Sequence, residues 1–380
     1  MYIPPWPGLN LRDLFPSRST SNLPYPLNAG RRTSFCVARN GIFHLFRTLG
    51  LKSREVVLVP DYHSGNEVAA MRAAGATQVF YPLLRNLEPD MEALTCLARK
   101  LSPRVIYVIH YLGWPQPMKE IQALCREVGA ILVEDCALSM LSESQGRPLG
   151  TFGDYSVFCL YKTLPVPNGG LLVQNNGSLP ALAGLNLHPY PRLAAASRTA
   201  GLAFEGLRSR SSFITNPFQT IKQAAGRMLR AVNGRHIPVG DIGWDPANVN
   251  IAMSGISASV MNGLDYAHIR ERRRRNFSLM REHLQGRIEI LREDLPQGVC
   301  PLFFPILVKH KHEVAQSLWK RGIGAVEFWN DPQGDARIGE DARYLRSHVL
   351  ELPIHQSVTE SQVEYIASQV LRLNPEPPSC

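Results

Sequence analysis

Short apolar runs alternate with segments of helical spacing over residues 41–174, and this alternation limits the folds open to the chain. The runs predict strands at 55–60, 78–81, 105–110, 130–135, 156–160 and 170–174. The spacing of apolar residues predicts helices at 41–51, 66–74, 90–100 and 118–128. Strands that alternate with helices favour right-handed crossovers and a mainly parallel sheet covered on both faces. The sequence therefore predicts an α/β fold whose ligands bind beyond the carboxyl ends of the strands.

The length of the chain predicts two domains, because 380 residues is long for a single core. Residues 1–32 are rich in Pro, Ser and Asn and predict an irregular N-terminal arm. We expect a large domain over 33–240, of which 178–240 is an atypical basic segment, and a smaller α+β domain over 241–380. Within that smaller domain, the pattern predicts helices at 269–284, 312–321 and 362–371 and a strand at 303–308.

The composition argues against several classes of protein. Hydrophobic residues make up 44% of the chain and charged residues 19%, which is typical of a soluble globular protein. The sequence contains no run of 18 apolar residues and no recognisable secretory signal, so we expect a cytoplasmic protein. The seven cysteines are scattered and form no C-x-x-C pair, which favours reduced thiols and gives no reason to expect a metal site.

Basic residues exceed acidic ones, and the formal net charge is +9. Arginines cluster at 270–275, and residues 213–232 have basic amphipathic spacing. A solvated helix face explains such patterns, and so does attraction of an anionic substrate or a membrane surface. No nucleic-acid motif accompanies the arginines, so we expect no nucleic-acid partner and give peripheral membrane contact little weight.

One acid and one lysine suggest a particular chemistry. Asp135 ends an apolar strand, and Lys162 follows 27 residues later in an apolar, glycine-punctuated setting. Pyridoxal phosphate (PLP) enzymes need a carboxylate that keeps the pyridine nitrogen protonated and an amine that forms a Schiff base with the aldehyde. Burial of the lysine favours the neutral amine that this bond requires. The alternatives are an acidic helix cap for Asp135 and a surface loop for Lys162.

The phosphate of such a cofactor needs backbone amides at the start of a helix, with polar side chains beside them. The segment Ala38-Arg39-Asn40 precedes the first long helix and fits this role, although many helices begin in a similar way. Ser156, on the strand before the lysine, is a candidate for an additional hydroxyl group.

An aromatic ring is also expected against the face of the pyridine ring. Tyr62 and His63 lie in a loop between a predicted strand and a predicted helix, and both are candidates, with His63 slightly preferred. A helix-capping loop without cofactor contact is an equally good reading of these two residues.

Taken together, the segments resemble the DegT/StrS family of PLP-dependent sugar aminotransferases, over about 33–175 and again over about 248–371. The motifs that carry the resemblance are 38–41, 59–60, 75–80, 110–113, 134–135, 146–154, Lys162 with 169–170, 250–254, 321–324 and 352–355. The resemblance implies the fold type I aminotransferase architecture and a homodimer with shared active sites. It also implies transfer of an amino group from an amino acid, typically glutamate, to a nucleotide-linked keto sugar. On this analogy Lys162 is the Schiff-base lysine, Asp135 pairs with the pyridine nitrogen, and Asn250 acts on the neighbouring subunit's cofactor.

The chain departs from the family pattern at several positions, which indicates a divergent branch. Leu138 stands three residues after the aspartate, where the family usually has a polar group, and Ala252 replaces the usual arginine before Met253. Residues 165–168 replace a glycine-rich turn, and the approach to the lysine is shorter than usual.

These departures leave two alternatives to an aminotransferase. One is a PLP enzyme of another reaction class, either a dehydratase or a condensing enzyme. Lys162 disfavours the sugar dehydratases, which have histidine at that position. The other alternative is a non-catalytic partner protein that keeps only the fold.

Overall fold

A computed structural model describes residues 1–10, 23–210, 239, 243–329 and 338–378. Seven strands form the central sheet: β1 (Arg32–Phe35), β2 (Val56–Pro60), β3 (Thr77–Tyr81), β4 (Val105–Ile109), β5 (Ile131–Asp135), β8 (Tyr155–Cys159) and β9 (Gly170–Gln174). Two short strands, β6 (Glu143–Ser144) and β7 (Arg147–Pro148), form a separate hairpin.

The central sheet has the strand order β1-β9-β8-β5-β4-β2-β3. Strands β8, β5, β4, β2 and β3 run parallel to one another, and β9 is antiparallel to both of its neighbours. All residues of β4 and β8 are buried, as expected for strands covered by helices on both faces. The predicted α/β class with a mainly parallel sheet is confirmed.

The described part of the first half also contains helices, of which the first five lie between strands of the central sheet in sequence and the last two follow β9. They are α1 (Ala38–Leu49), α2 (Asn66–Ala73), α3 (Met91–Leu101), α4 (Met118–Val128), α5 (Leu160–Thr163), α6 (Pro180–Ala183) and α7 (Arg192–Arg210). Helix α1 begins at Ala38, whereas the predicted start was residue 41. The prediction began too late because the first turn carries no apolar pattern. Strand β1 and helix α7 were not predicted, since neither shows a regular alternation of apolar and polar residues.

Among the residues described in the second half are a two-stranded antiparallel sheet and five more α-helices. The strands are β10 (Phe303–Leu307) and β11 (Val349–Pro353), and the helices are α8 (Gly255–Met261), α9 (Tyr266–Leu284), α10 (Lys311–Lys320), α11 (Glu340–His348) and α12 (Glu360–Leu373). A 3₁₀ turn at Pro246–Asn248 precedes them. The long helix, the strand and the two further helices predicted here are all present.

The described residues 1–10 at the start of the chain pack closely against later segments. Ile3 is fully buried and bridges Ile323, and the Leu9 amide donates a hydrogen bond to the Leu202 carbonyl. The basic segment 213–232 and the proposed domain boundary at residue 240 lie outside the described residues, so both stay predictions. Among the residues described, no helix is long and apolar enough to cross a lipid bilayer.

Candidate active site

A cavity lies where the parallel strands end. Its walls come from the ends of β4 and β5, from the turn after β8, from the first turns of α1 and α2, and from Trp329. The lining residues are Ala38, Arg39, Ile42, Ser64, Asn66, Glu67, Ile109, Asp135, Ala137, Leu138, Cys159, Tyr161, Lys162 and Trp329. Asp135 and Lys162 thus share one cavity at the edge of the sheet where ligands of α/β proteins bind.

Asp135 is the last residue of β5 and is only 6% exposed. Both of its carboxylate oxygens accept hydrogen bonds: Oδ2 from the Tyr107 hydroxyl at 2.6 Å and Oδ1 from the Ala137 amide at 2.8 Å. Burial raises the pKa of Asp135 to about 6, and the charge of Glu67 adds to this effect. The two hydrogen bonds and the charge of Lys162 oppose the rise in pKa. The carboxylate is therefore held in one orientation and titrates close to neutral pH.

Lys162 lies on α5, the single helical turn that follows β8, and is 6% exposed. Its Nζ lies 5.3 Å from the centre of the Phe328 ring. Helix α5 begins directly after Cys159, and both Cys159 and Tyr161 line the cavity beside the lysine. The amine therefore lies beside an aromatic ring, in the same cavity as the carboxylates of Asp135 and Glu67.

The first turn of α1 forms another part of the wall. Val37, the residue before the helix, makes no side-chain cap, and no acidic residue lies in the first turn. Arg39 and Ala38 line the cavity, so the positive end of the helix and a basic residue border the same space. A Cβ atom on Gly170 would lie 2.3 Å from the Ala38 nitrogen, so only glycine lets β9 approach this turn.

Asn40 was predicted to bind the cofactor, but its side chain makes a hydrogen bond within the protein. Its Nδ2 donates to the Asn248 carbonyl at 2.8 Å, and Asn40 does not line the cavity. The reason is helical geometry, since consecutive residues of α1 point in different directions.

The start of α2 brings polar groups that were not predicted. The Ser64 amide donates to Glu67 Oε1 at 2.8 Å, and the Ser64 hydroxyl bonds to Oε2, an N-terminal helix motif. Glu67 is buried and places a second carboxylate in the cavity. The Oδ1 atom of Asn66 is buried there without a hydrogen-bond partner among the described residues. The serine and glutamate spacing before a helix was the available sequence signal.

Tyr62 and His63 do not line this cavity, contrary to expectation. The His63 ring stacks on Phe80 with centroids 5.2 Å apart. Tyr62 lines a second, smaller cavity. The edge of its ring packs against Trp329 at a centroid distance of 4.8 Å. The aromatic residues that line the first cavity are Tyr161, next to the lysine, and Trp329, which is more than 250 residues from Tyr62 and His63 in sequence and gave no local signal.

Ser156 also lies elsewhere. Its hydroxyl is 3.0 Å from the Tyr25 hydroxyl, and strand register pairs it with Glu134 rather than with Asp135. Because side chains alternate along a strand, Ser156 faces the side of the sheet opposite Asp135. The residue of β8 that does reach the cavity is Cys159, three residues later.

Asn250 is exposed and does not line its own chain's cavity. Its backbone carbonyl accepts a hydrogen bond from the His188 amide at 2.7 Å, which orders this segment. The predicted action on a neighbouring subunit is not tested by a single chain and stays a prediction.

A buried cluster lies on the other face of β5. Nε2 of His110 lies 3.0 Å from Glu134, whose carboxylate also accepts the amides of Gly150, Phe152 and Gly153. The Gln116 amide donates to His110 Nδ1, so Nε2 carries the proton. Cys136 lies close enough for the three residues to form a possible metal site, which sequence spacing did not reveal. The hydrogen bonds already occupy the histidine and the glutamate.

Comparison with known proteins is consistent with this architecture. The structure superimposes on Helicobacter pylori PseC, an aminotransferase involved in the biosynthesis of pseudoaminic acid, with a TM-score of 0.68 and 17% identity, covering 98% of both chains. The fold is therefore that of the fold type I aminotransferases. Residues 31–199 match the DegT/DnrJ/EryC1/StrS aminotransferase family. The chain is therefore similar to this family over 169 of its 380 residues, in line with the resemblance that the sequence motifs indicated.

Two curated relatives illustrate the range of the family. A dTDP-4-dehydro-2,3,6-trideoxy-D-glucose 4-aminotransferase from Saccharopolyspora spinosa is 24% identical over 86% of this chain and 80% of its own length. A GDP-perosamine synthase from Escherichia coli O157:H7 is 30% identical over 34% of this chain. That match spans only 36% of the synthase.

Proposed function

We propose that the chain is a PLP-dependent aminotransferase that moves an amino group from an amino acid, with glutamate as the first candidate, to a nucleotide-linked keto sugar. The observation that carries the proposal is that Asp135 and Lys162 line one cavity at the carboxyl ends of the parallel strands. Relatives named as aminotransferases of dTDP- and UDP-linked sugars support the substrate class.

The residues of the cavity suit PLP in their chemistry. Uncapped amides at the start of α1, with the Arg39 guanidinium, suit a phosphate. Asp135 suits the pyridine nitrogen, and Lys162 suits the aldehyde. The Asn66 Oδ1, which has no hydrogen-bond partner among the described residues, can accept a hydrogen bond from a bound ligand. The cavity has a volume of about 50 Å³ and opens to solvent.

PLP, when bound, supplies the electron sink for transfer of the amino group. The chain's own residues then orient and move protons. The Tyr107 hydroxyl and the Ala137 amide hold the Asp135 carboxylate in place, and its ionised form favours a protonated ring nitrogen. Lys162 Nζ is the group that can take and return a proton inside the cavity. Lys162 is only 6% exposed, which limits contact of its amine with bulk water.

In this proposal, the side chains around the pyridine ring of the cofactor differ from those that are usual in the family. Leu138 lines the cavity where the family usually has a polar side chain, and Cys159 lines it close to the lysine. Ser64 and Glu67 add a hydroxyl and a carboxylate from α2. We infer that these side chains replace part of the usual hydrogen bonding and alter the choice of substrate.

The proposal is tested by spectroscopy of the purified chain. Adding PLP should produce a visible absorption band. Borohydride should then reduce the Schiff base and leave the cofactor covalently attached to the protein, and Lys162→Ala should abolish this attachment. Lys119→Ala, which removes an exposed lysine on α4, is the matched control and should behave like the unchanged chain. Mass spectrometry of the peptide that carries the label identifies the attachment site.

A second measurement addresses the reaction class. The PLP-loaded chain is mixed with glutamate and with other amino acids, and conversion of the cofactor to its amino form is followed by absorbance. Conversion by a donor, followed by its reversal with a nucleotide-linked keto sugar, supports an aminotransferase. A chain that binds PLP but converts with no amino donor belongs to another PLP reaction class.

A further inference from the structure

Trp329 occupies the wall between two cavities. It lines the cavity of Asp135 and Lys162 and also a second cavity of about 10 Å³ next to it. Leu138 is the other residue common to both linings. Displacement of either side chain joins the two spaces, which is one way to admit a ligand larger than the present volume.

The backbone of Trp329 is held in an uncommon conformation. Its φ of +56° lies in the left-handed region, which is unusual for a large aromatic residue and marks local strain. Arg346 on α11, itself 5% exposed, donates to the Trp329 carbonyl at 2.7 Å. The same guanidinium donates to the Asp61 and His63 carbonyls at 3.2 and 3.0 Å. Arg346 therefore ties Trp329 to the loop that precedes α2.

The indole ring of Trp329 is packed against other side chains, but the described residues leave the hydrogen-bonding capacity of its Nε1 atom unused. Tyr62 and Tyr111 pack edge-on against it, with centroid distances of 4.8 and 5.6 Å. Trp329 is 9% exposed, and its Nε1 donor has no hydrogen-bond acceptor among the described residues. A buried N–H without an acceptor is costly, so a ligand oxygen that accepts from it gains binding energy.

From these contacts we infer that Trp329 is a ligand-contact residue of the active site. Its ring supplies the aromatic contact to the bound cofactor, in place of His63 or Tyr62, and its Nε1–H donates to an oxygen of the ligand. Arg346 is the positioning residue that holds this tryptophan. The inference rests on the proposed function, because it assigns a contact to the cofactor of that same site.

The test measures PLP binding by the cofactor-free chain and needs no turnover. Trp329→Phe keeps a ring but loses the donor, and Trp329→Ala loses both. Trp319→Phe and Trp319→Ala are the matched controls, because Trp319 is 43% exposed, lies outside both cavities and uses its Nε1 to bond the Ala325 carbonyl. Equilibrium dialysis gives the dissociation constant, and thermal unfolding shows that each variant is folded.

We expect Trp329→Phe to weaken PLP binding roughly two- to tenfold, the usual effect of losing one hydrogen bond. Trp329→Ala should weaken it by about a further fivefold or more, because the ring contact is lost as well. Both Trp319 variants should stay within about twofold of the unchanged chain, a difference too small to reflect a lost contact. Tryptophan emission offers a second readout, since removal of Trp329 should reduce the quenching by PLP more than removal of Trp319.

Unchanged PLP affinity in a folded Trp329→Ala chain would overturn the inference while leaving the proposed function intact. Equal losses in the Trp319 and Trp329 variants would also overturn it, since a distant change would then matter as much. If Trp329→Ala does not fold, Trp329→Phe decides through its affinity and its emission. Failure of the unchanged chain to bind PLP contradicts the proposed function, and the inference falls with it.

Discussion

The surroundings of Asp135 have opposing effects on the pKa of its carboxyl group. It is removed from water at the end of β5, close to Glu67, and both features favour the protonated form. Tyr107 and Ala137 donate to its oxygens and favour the ionised form. The result is a pKa of about 6, so the residue is mostly ionised at neutral pH and is kept so at a cost in stability.

This cost has a predictable dependence on pH. The pKa of Asp135 is raised in the folded state, to about 6 from an ordinary value of 3.8, so the folded chain binds this proton more tightly than the unfolded chain. The free energy of unfolding should therefore fall as pH rises from about 4 to 6, by roughly 3 kcal/mol from this residue. In the cofactor-free Asp135→Asn variant, denaturant unfolding should lack this part of the pH dependence.

The control is Asp294→Asn, which changes a carboxylate whose side chain is 57% exposed. This variant should keep the same fall in stability as the unchanged chain. If Asp135→Asn and the unchanged chain show parallel curves of stability against pH, the raised pKa is not present in the folded state.

At the scale of elements, the approach of β9 to α1 positions the turn that we propose binds the phosphate. Gly169 has a φ of +149°, and a Cβ atom there would meet Leu160, the residue that begins α5. Gly170 follows directly and lies against Val37 and Ala38. The glycine pair therefore brings α1, β9 and the lysine-bearing turn close together.

Replacement of Gly170 tests this arrangement. In Gly170→Ala the added Cβ would lie 2.3 Å from the Ala38 nitrogen and 2.4 Å from the Val37 carbonyl carbon, so the first turn of α1 must shift. We expect a loss of about 1–3 kcal/mol in the free energy of unfolding, as for other overpacked sites, together with weaker PLP binding. Denaturant unfolding and equilibrium dialysis measure the two effects.

Gly201→Ala is a suitable control, because Gly201 lies within α7 and an added Cβ meets nothing within 4 Å. Alanine is the better helix former, so this variant should gain up to about 1 kcal/mol. A Gly170→Ala chain as stable as the unchanged one, with undiminished PLP affinity, would show that β9 and α1 have room to separate.

At the scale of the whole molecule, the prediction that Asn250 acts on a partner subunit concerns the homodimer. The residue is exposed and lies outside its own chain's cavity, and its side chain hydrogen-bonds His44 of the same chain. In a dimer with two-fold symmetry, each subunit would receive the asparagine of the other. Dimers of two different variants can therefore test whether the active site is shared between subunits.

Coexpression of Lys162→Ala and Asn250→Ala chains with different tags provides the test. Each homodimer lacks one required residue at both sites, whereas the mixed dimer contains one site with both residues. Random pairing makes half of the dimers mixed, so the mixture should recover about a quarter of the unchanged activity. Activity of the separately purified variants is the control. Recovery no greater than the sum of the two variants would contradict a shared site.

Much of the fold followed from local patterns in the chain. Strands β4 and β9 and helix α4 were predicted to within one residue, because continuous burial and helical periodicity each leave a regular apolar pattern. The edge strand β1 and the helix α7 were missed because their surroundings are less uniform. A local pattern therefore predicts an element whose burial is regular and misses an element whose burial is irregular.

The sequence by itself predicted the fold class, the resemblance to an aminotransferase family and the pair Asp135 and Lys162, since these depend on periodicity and on motifs in a fixed order. Only the tertiary structure decided which other side chains surround that pair. It excluded Ser156, Asn40, Tyr62 and His63 from the cavity lining and brought in Cys159, Glu67 and Trp329. The reason is directional: strand alternation and helix rotation set where each side chain points, and chain folding brings Trp329 to the site across a long separation in sequence.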